Sequence, residues 1–312
     1  MDKQSLLEVQ QRISPFIHNT PVLTSQLLDE MAGAKLFFKC ENFQKMGAFK
    51  MRGATNAIIN LTKEEQERGV VTHSSGNFAQ AISLAARNLD VKAYIVMPNN
   101  APLVKKEAVL NYGGLVTECE PNIKAREQAS QDIVDNKGAT FIHPSNDLNV
   151  ILGNATAAME LLQSLPDLNF LLSPVGGGGL LAGTALAAHY FGNHCVVLGG
   201  EPKAADDAFR SMKSGHIETN ISANTVADGL RTQLGDINFP ILQKYVDHIV
   251  CVEEHEILKA MKLLWERLKI VVEPSSAVAF AVVLKEKEYF KNKKVGIILS
   301  GGNVDLETIK FS

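Results

Sequence analysis

Short β-branched runs alternate with longer stretches of helical period along almost the whole chain, and this alternation limits the fold more than any other feature. The runs Leu36–Cys40, Val70–Ser74, Ala93–Met97, Val116–Cys119, Thr140–His143, Leu171–Val175, Val196–Gly199 and Val295–Leu299 predict strands. Asn77–Arg87, Leu103–Tyr112, Ala125–Asp135, Leu148–Gln163 and Gly179–Phe191 predict helices between them. Strands joined through helices pair in parallel, so the expected fold class is α/β, with mostly parallel twisted sheets flanked by helices. About four strand–helix units fall between Gly69 and Pro144, enough for a smaller lobe of residues 69–144. Residues 1–68 plus 145–312 then make the larger lobe, and 312 residues leave room for both. Ligands of such sheets bind where strand-to-helix loops converge.

The net charge of −3, with Lys and Arg scattered, excludes the clustered basic face that nucleic acid or an anionic membrane surface would require. No apolar run approaches the roughly 20 residues that span a bilayer. The opening MDKQSLLEVQQRI reads as an amphipathic helix without the apolar core of a signal peptide, which predicts a cytoplasmic protein. Cys40, Cys119, Cys195 and Cys251 form no C-x-x-C pair and are expected to be small buried hydrophobes.

Four stretches at predicted strand-to-helix junctions carry chemistry. In Gly47-Ala48-Phe49-Lys50-Met51-Arg52-Gly53 a lysine stands at the start of a predicted helix, Met51–Asn60. The positive end of the helix dipole and the apolar neighbours Phe49 and Met51 both favour its neutral amine, the form that attacks an aldehyde. Taken alone, a solvated lysine is the better reading. Val175-Gly176-Gly177-Gly178-Gly179-Leu180 exposes successive backbone N–H groups at a helix start, a cradle for phosphate. It lacks the Lys-Ser/Thr pair of a nucleotide-binding P-loop and the spacing of a dinucleotide fingerprint. Thr72-His73-Ser74-Ser75-Gly76-Asn77-Phe78 suits either helix capping or the binding of a carboxylate. Leu299-Ser300-Gly301-Gly302-Asn303 follows the last strand.

In this order and spacing the four stretches resemble the fold-type II pyridoxal-phosphate enzymes (tryptophan synthase β-like), and within them the serine racemase and serine/threonine dehydratase group. The resemblance runs from Thr20-Pro21-Val22-Leu23-Thr24-Ser25 to Ser300-Gly301-Gly302-Asn303-Val304-Asp305. It implies pyridoxal 5'-phosphate held as a Schiff base by Lys50 in a large cofactor-binding domain, facing a small mobile substrate domain. Phe49 would pack beside the ring, Asn77 would bond its hydroxyl, Gly176, Gly177, Gly178 and Gly179 would bind its phosphate, and Ser300 would face its nitrogen. A neutral hydroxyl there does not force that nitrogen to stay protonated, which weakens the electron sink and favours prompt loss of a β-leaving group. Lys50 would move the proton on one face of Cα, and Ser75 matches the second-face acid/base of racemases. Ser74, Ser75, Gly76 and Asn77 would hold the substrate carboxylate, and Arg126 lies where racemases offer a mobile arginine.

The stretch from Glu201 to Asp207 resembles the family's divalent-cation loop. Its ligands would be the carboxylates of Glu201 and Asp207 and the carbonyl of Ala205, around Mg²⁺, Ca²⁺ or Mn²⁺. Read without the resemblance, it is a solvated acidic turn. Glu273-Pro274 and Thr225–Gln233 are expected to line the cleft. A homodimer, and a nucleotide effector near Lys45, follow from the resemblance alone. Three departures stand out: Ala48 in Gly-Ser-Phe-Lys, Phe78 where His is expected after Ser-Ser-Gly-Asn, and Gly153-Asn154-Ala155-Thr156 in place of Gly-Gln-Gly-Thr.

The implied function is a dehydratase that converts L-serine or L-threonine to a 2-oxo acid and ammonia, with serine racemisation. One alternative is a threo-3-hydroxyaspartate ammonia-lyase. Another, of a different class, is a weakly active cofactor-binding or sensing protein.

Overall fold

Among the described residues there are ten strands: β1 (Val22–Leu23), β2 (Lys35–Cys40), β3 (Val70–His73), β4 (Ala93–Pro98), β5 (Leu115–Cys119), β6 (Thr140–Phe141), β7 (Phe170–Pro174), β8 (Val196–Pro202), β9 (His248–Val252) and β10 (Lys294–Leu299). The computed structural model describes residues 2–306. Six strands form one sheet, in the order β1-β2-β10-β7-β8-β9, and four form the other, β5-β4-β3-β6. Every pairing is parallel except that of β1 with β2. Central β7 is buried along its whole length, so apolar Phe170, Leu171 and Leu172 follow one another without alternation.

All eight predicted strands are present. The two that were missed, β1 and β9, lie at the edges of the larger sheet, where a two-residue segment and a half-buried one leave little periodic signal. The smaller sheet holds four strands but only three intervening helices. The helix after β6, Leu148–Ser164, packs instead on helices Lys50–Ile59 and Gly179–Phe191 beside the larger sheet. The core under the smaller sheet is likewise shared: Ile82, Ile95 and Val109 pack with Val9, Met51 and Ile58 from outside residues 69–144.

Of the four cysteines only Cys40 is buried; Cys119, Cys195 and Cys251 are partly covered, and all four are free. Among the described residues no helix is long and apolar enough to cross a membrane.

Helices Lys50–Ile59 and Leu148–Ser164 cross very closely. A Cβ on Gly153 would stand 2.5 Å from the carbonyl oxygen of Arg52, which explains a glycine there. Beside this crossing Arg52, fully buried, grips two carboxylates. Its Nε and NH2 donate to Glu41 at 2.7 and 2.9 Å, and its NH1 and NH2 donate to Glu160 at 2.7 and 2.8 Å. Lys39 donates to Glu160 at 2.6 Å, so two cations neutralise two anions with geometry good enough to offset their desolvation. The cluster anchors the first turn of the helix that begins with Lys50.

Candidate active site

β2, β10 and β7 lie side by side, and their carboxyl ends run into Gly47–Lys50, Ser300–Asn303 and Gly176–Gly179. Chain order reverses between β10 and β7, the kind of switch point at which parallel sheets open a crevice. The smaller sheet reverses between β3 and β6, which lead into Ser74–Asn77 and His143–Ser145. Backbone bonds fasten the first two loops together. Phe49 N–H donates to the Ser300 carbonyl at 2.9 Å, and Gly302 N–H to that of Gly47 at 2.9 Å.

Lys50 is the first residue of its helix. Its Nζ donates to the Pro144 carbonyl at 2.7 Å and lies 5.0 Å from the Phe49 ring centre and 5.5 Å from that of Phe78. Burial lowers the amine to about 8, and the Glu273 carboxylate works against that shift.

The Gly176–Gly179 loop is buried, and its N–H groups meet no acceptor among the described residues. Buried backbone donors are nearly always paired, so four together call for an anion. Gly178 adopts φ +79° at the N-cap of helix Gly179–Phe191, and a Cβ there would stand 2.6 Å from Asn238 Oδ1. Ser300 is buried, with its Oγ 3.1 Å from Ser276 Oγ.

Asn77 opens its helix, and Gly76 before it caps without a side chain, so Ser74 and Ser75 do not serve as the cap. Ser74 Oγ instead accepts weakly from Gly76 N–H at 3.4 Å. The Asn77 amide donates to both carboxylate oxygens of Glu273, each at 3.0 Å, and its Oδ1 accepts from Asn303 at 2.9 Å. Burial raises Glu273 to about 7 even though the Asn77 bond lowers it.

Glu273, expected to line the cleft, is the partner of Asn77, a contact that the sequence did not show. Sequence reasoning missed the parts played by His143 and Asn238, which nothing local marked. His143 Nδ1 accepts from the backbone N–H of Ser145 at 3.2 Å and of Asn146 at 2.8 Å. Burial, then the neighbouring His73 and Lys50, depress it to about 4, so it stays neutral.

Arg126 is not gathered with these groups. It sits in the first turn of helix Ile123–Lys137, its charge acts on His73 and Cys119, and its Nε is buried without a partner. Asn154 lies at the crossing with Gly53, its amide buried and unpartnered. Glu201, at the carboxyl end of β8, accepts from the backbone N–H of Ala208 at 2.9 Å and of Phe209 at 2.8 Å. Asp207 accepts from Leu234 N–H at 3.1 Å, while its Oδ1 is buried with no partner. Burial raises both carboxyls, Asp207 to about 6. Among the described residues no three His, Cys, Asp or Glu side chains gather as a metal cluster.

An amine poised beside two aromatic rings, a buried row of unused N–H groups and a buried hydroxyl fit pyridoxal phosphate. The family model described as pyridoxal-phosphate dependent enzyme matches residues 13–301. Serine racemase of Dictyostelium discoideum is 47% identical over 98% of this chain and 96% of its own. Its crystal structure superposes with a TM-score of 0.94, covering 98% of this chain and 99% of that one. The beta-hydroxyaspartate dehydratase of Paracoccus denitrificans (strain Pd 1222) is 45% identical over 99% of this chain and 98% of its own. The T.th. threonine deaminase, known from its crystal structure, is 41% identical, with a TM-score of 0.92 over 98% of this chain and 99% of that one. The chain belongs to the fold-type II pyridoxal-phosphate dependent enzymes, in the group that includes serine racemases, threonine deaminases and hydroxyaspartate dehydratases.

Proposed function

We propose that this chain removes water from a β-hydroxy amino acid, L-serine or L-threonine, the dehydrated product taking up water again as it loses ammonia to become a 2-oxo acid, and that it also racemises serine. The observation that carries the reading is Lys50, a desolvated amine at a helix start, held by the Pro144 carbonyl between Phe49 and Phe78. When bound, pyridoxal phosphate supplies the electron sink that makes the Cα proton removable. The N–H groups of Gly176–Gly179 bind its phosphate, and Ser300 meets its nitrogen. Lys50 Nζ takes the Cα proton on its face and delivers one to the departing hydroxyl, so that water leaves. Ser74, Gly76 and the amides at the start of the Asn77 helix hold the substrate carboxylate. Ser75 returns a proton to the opposite face when racemisation replaces elimination. Glu201, Asp207 and the Ala205 carbonyl take a divalent cation, a reading supported by the unpartnered Asp207 Oδ1.

A second reading, threo-3-hydroxyaspartate as substrate, is favoured by the unpartnered Arg126 Nε, which a second substrate carboxylate would satisfy if the smaller sheet moved inward. It is also supported by the 45% identity to the Paracoccus dehydratase. One panel tests both: D- and L-serine, L-threonine and threo-3-hydroxyaspartate, assayed for oxo acid and for inversion, with and without Mg²⁺. Oxo acid from serine or threonine supports the first reading. Turnover of hydroxyaspartate alone replaces it with the second, and no oxo acid from any substrate removes both.

A further inference from the structure

After β6 the chain reaches helix Leu148–Ser164 through the turn His143-Pro144-Ser145-Asn146. His143 Nδ1 lies within reach of two backbone N–H groups of that turn, those of Ser145 at 3.2 Å and Asn146 at 2.8 Å. A backbone N–H only donates, so Nδ1 must offer its lone pair, and the proton of the neutral ring sits on Nε2. Burial first, then His73 and Lys50, keep the ring neutral against the pull of Asp236. The peptide joining Pro144 to Ser145 is trans, so its C=O and N–H point in opposite directions. With the Ser145 N–H on the imidazole, the Pro144 carbonyl faces away from the ring, and there Lys50 Nζ donates to it at 2.7 Å. The far side of the turn is fixed as well. The Asn146 amide donates to Asp236 at 2.8 Å, and the Asn238 amide to the Ser145 carbonyl at 3.2 Å. The proline ring freezes φ in between. The direction of the Pro144 carbonyl is then left to one soft torsion, and His143 Nδ1 holds it.

We infer that His143 is a positioning residue for Lys50: its unprotonated Nδ1 fixes the Pro144–Ser145 peptide, whose carbonyl gives the amine a set resting place whenever it is not joined to the cofactor. The inference deepens the reading of Lys50 as the base and rests on it. Lysine carries its amine on a flexible four-carbon stem, and an amine pinned at one N–H no longer samples the cleft. A carbonyl suits the task because it accepts from the amine and from the ammonium alike and brings no charge. A carboxylate in that place would hold the ammonium far more strongly and keep the base protonated. The imidazole acts through its lone pair; its Nε2 proton takes no part.

The test is the pH profile of Lys50 labelling by an amine reagent in the cofactor-free protein, with kcat of the reconstituted protein on whichever panel substrate turns over. The parent is compared with His143→Leu, His143→Asn and His143→Gln. An asparagine Oδ1 stands where Nδ1 does and can accept the same two N–H groups, a glutamine amide reaches the level of Nε2 instead, and leucine offers no acceptor. In His143→Leu the carbonyl is free to turn away, the ammonium loses a charge-assisted bond, and the labelling midpoint should fall by about one pH unit. Its kcat should fall by about tenfold, with KM changed by less than about threefold. His143→Gln should behave as His143→Leu does, and His143→Asn should recover most of both losses. A midpoint that stays at the parent's value in His143→Leu overturns the proposal, and so does an unchanged kcat. So does a His143→Asn as impaired as His143→Leu, which would give the role to the imidazole proton. Should His143→Leu not fold, His143→Gln is read by the same criteria. If no panel substrate turns over, the reading of Lys50 as the base fails, while the midpoints still decide whether His143 holds the Pro144 carbonyl on the amine.

Discussion

The side-chain amide of Asn77 donates to both carboxylate oxygens of Glu273, each at 3.0 Å, joining the start of the helix that follows β3 to the start of helix Pro274–Lys285. Glu273 is 4% exposed, and burial raises it from 4.5 to about 7. Between those values the folded protein keeps a proton that the unfolded chain has lost. The stability contributed by this group is therefore full below about pH 4.5 and lost as pH rises through about 7. In urea melts of the cofactor-free protein, the advantage of the parent over Glu273→Gln should shrink by on the order of 3 kcal/mol from pH 4.5 to 7.5. A difference that stays level across that range contradicts the assignment.

Lys50 is lowered to about 8, chiefly by burial. In the cofactor-free protein its labelling by an amine reagent, followed by peptide mass, should rise with pH and level off above about 8. Phe78→Ser admits water beside the amine and should raise that midpoint by about one pH unit. Lys50→Ala should lower turnover by about 10³-fold, since it removes both the covalent anchor and the base.

Arg52, itself fully buried, neutralises Glu41 and Glu160. Arg52→Ala leaves two buried carboxylates short of a partner and should cost about 3–5 kcal/mol in denaturant unfolding. Arg52→Lys, which cannot form both bidentate pairs, should recover only part of that loss.

Asn238 is fully buried, and its amide donates to the Gly177 carbonyl at 2.8 Å and to the Ser145 carbonyl at 3.2 Å. A trans peptide points its C=O and the next N–H in opposite directions, so holding Gly177 O turns the Gly178 N–H away from Asn238. Asn238→Ala should weaken pyridoxal-phosphate binding by about tenfold, roughly the value of one hydrogen bond. Binding of pyridoxal, which lacks the phosphate, should change far less. Equal losses for both would show that Asn238 does not act on the phosphate loop.

Glu201 and Asp207 are both buried, the charge of Asp207 adds to the effect of burial in raising Glu201, and Asp207 Oδ1 has no hydrogen-bond partner. Millimolar Mg²⁺ or Ca²⁺ should raise the thermal midpoint of the chelator-treated protein, because only the folded chain presents the site. Asp207→Asn should abolish that rise. A parent midpoint indifferent to both ions would dismiss the cation reading.

The sequence by itself determined the parallel α/β architecture, because helical and strand periods differ and strands joined through helices pair in parallel. It also placed Gly176–Gly179 and Asn77 at strand-to-helix junctions, Lys50 at a helix start and Ser300 after the last strand, since glycine and small polar residues announce such turns locally. What belongs to distant contacts was not legible. Asn77 reaches a residue 196 positions away in Glu273, and Lys50 one 94 positions away in Pro144. Edge strands β1 and β9 carried too little apolar periodicity to be seen. Phe78 read as a lost imidazole, and only packing made it one of two rings that keep water from the lysine. Periodicity and turn chemistry are written in neighbouring residues; burial, and the bonds that burial demands, exist only once the chain has folded onto itself.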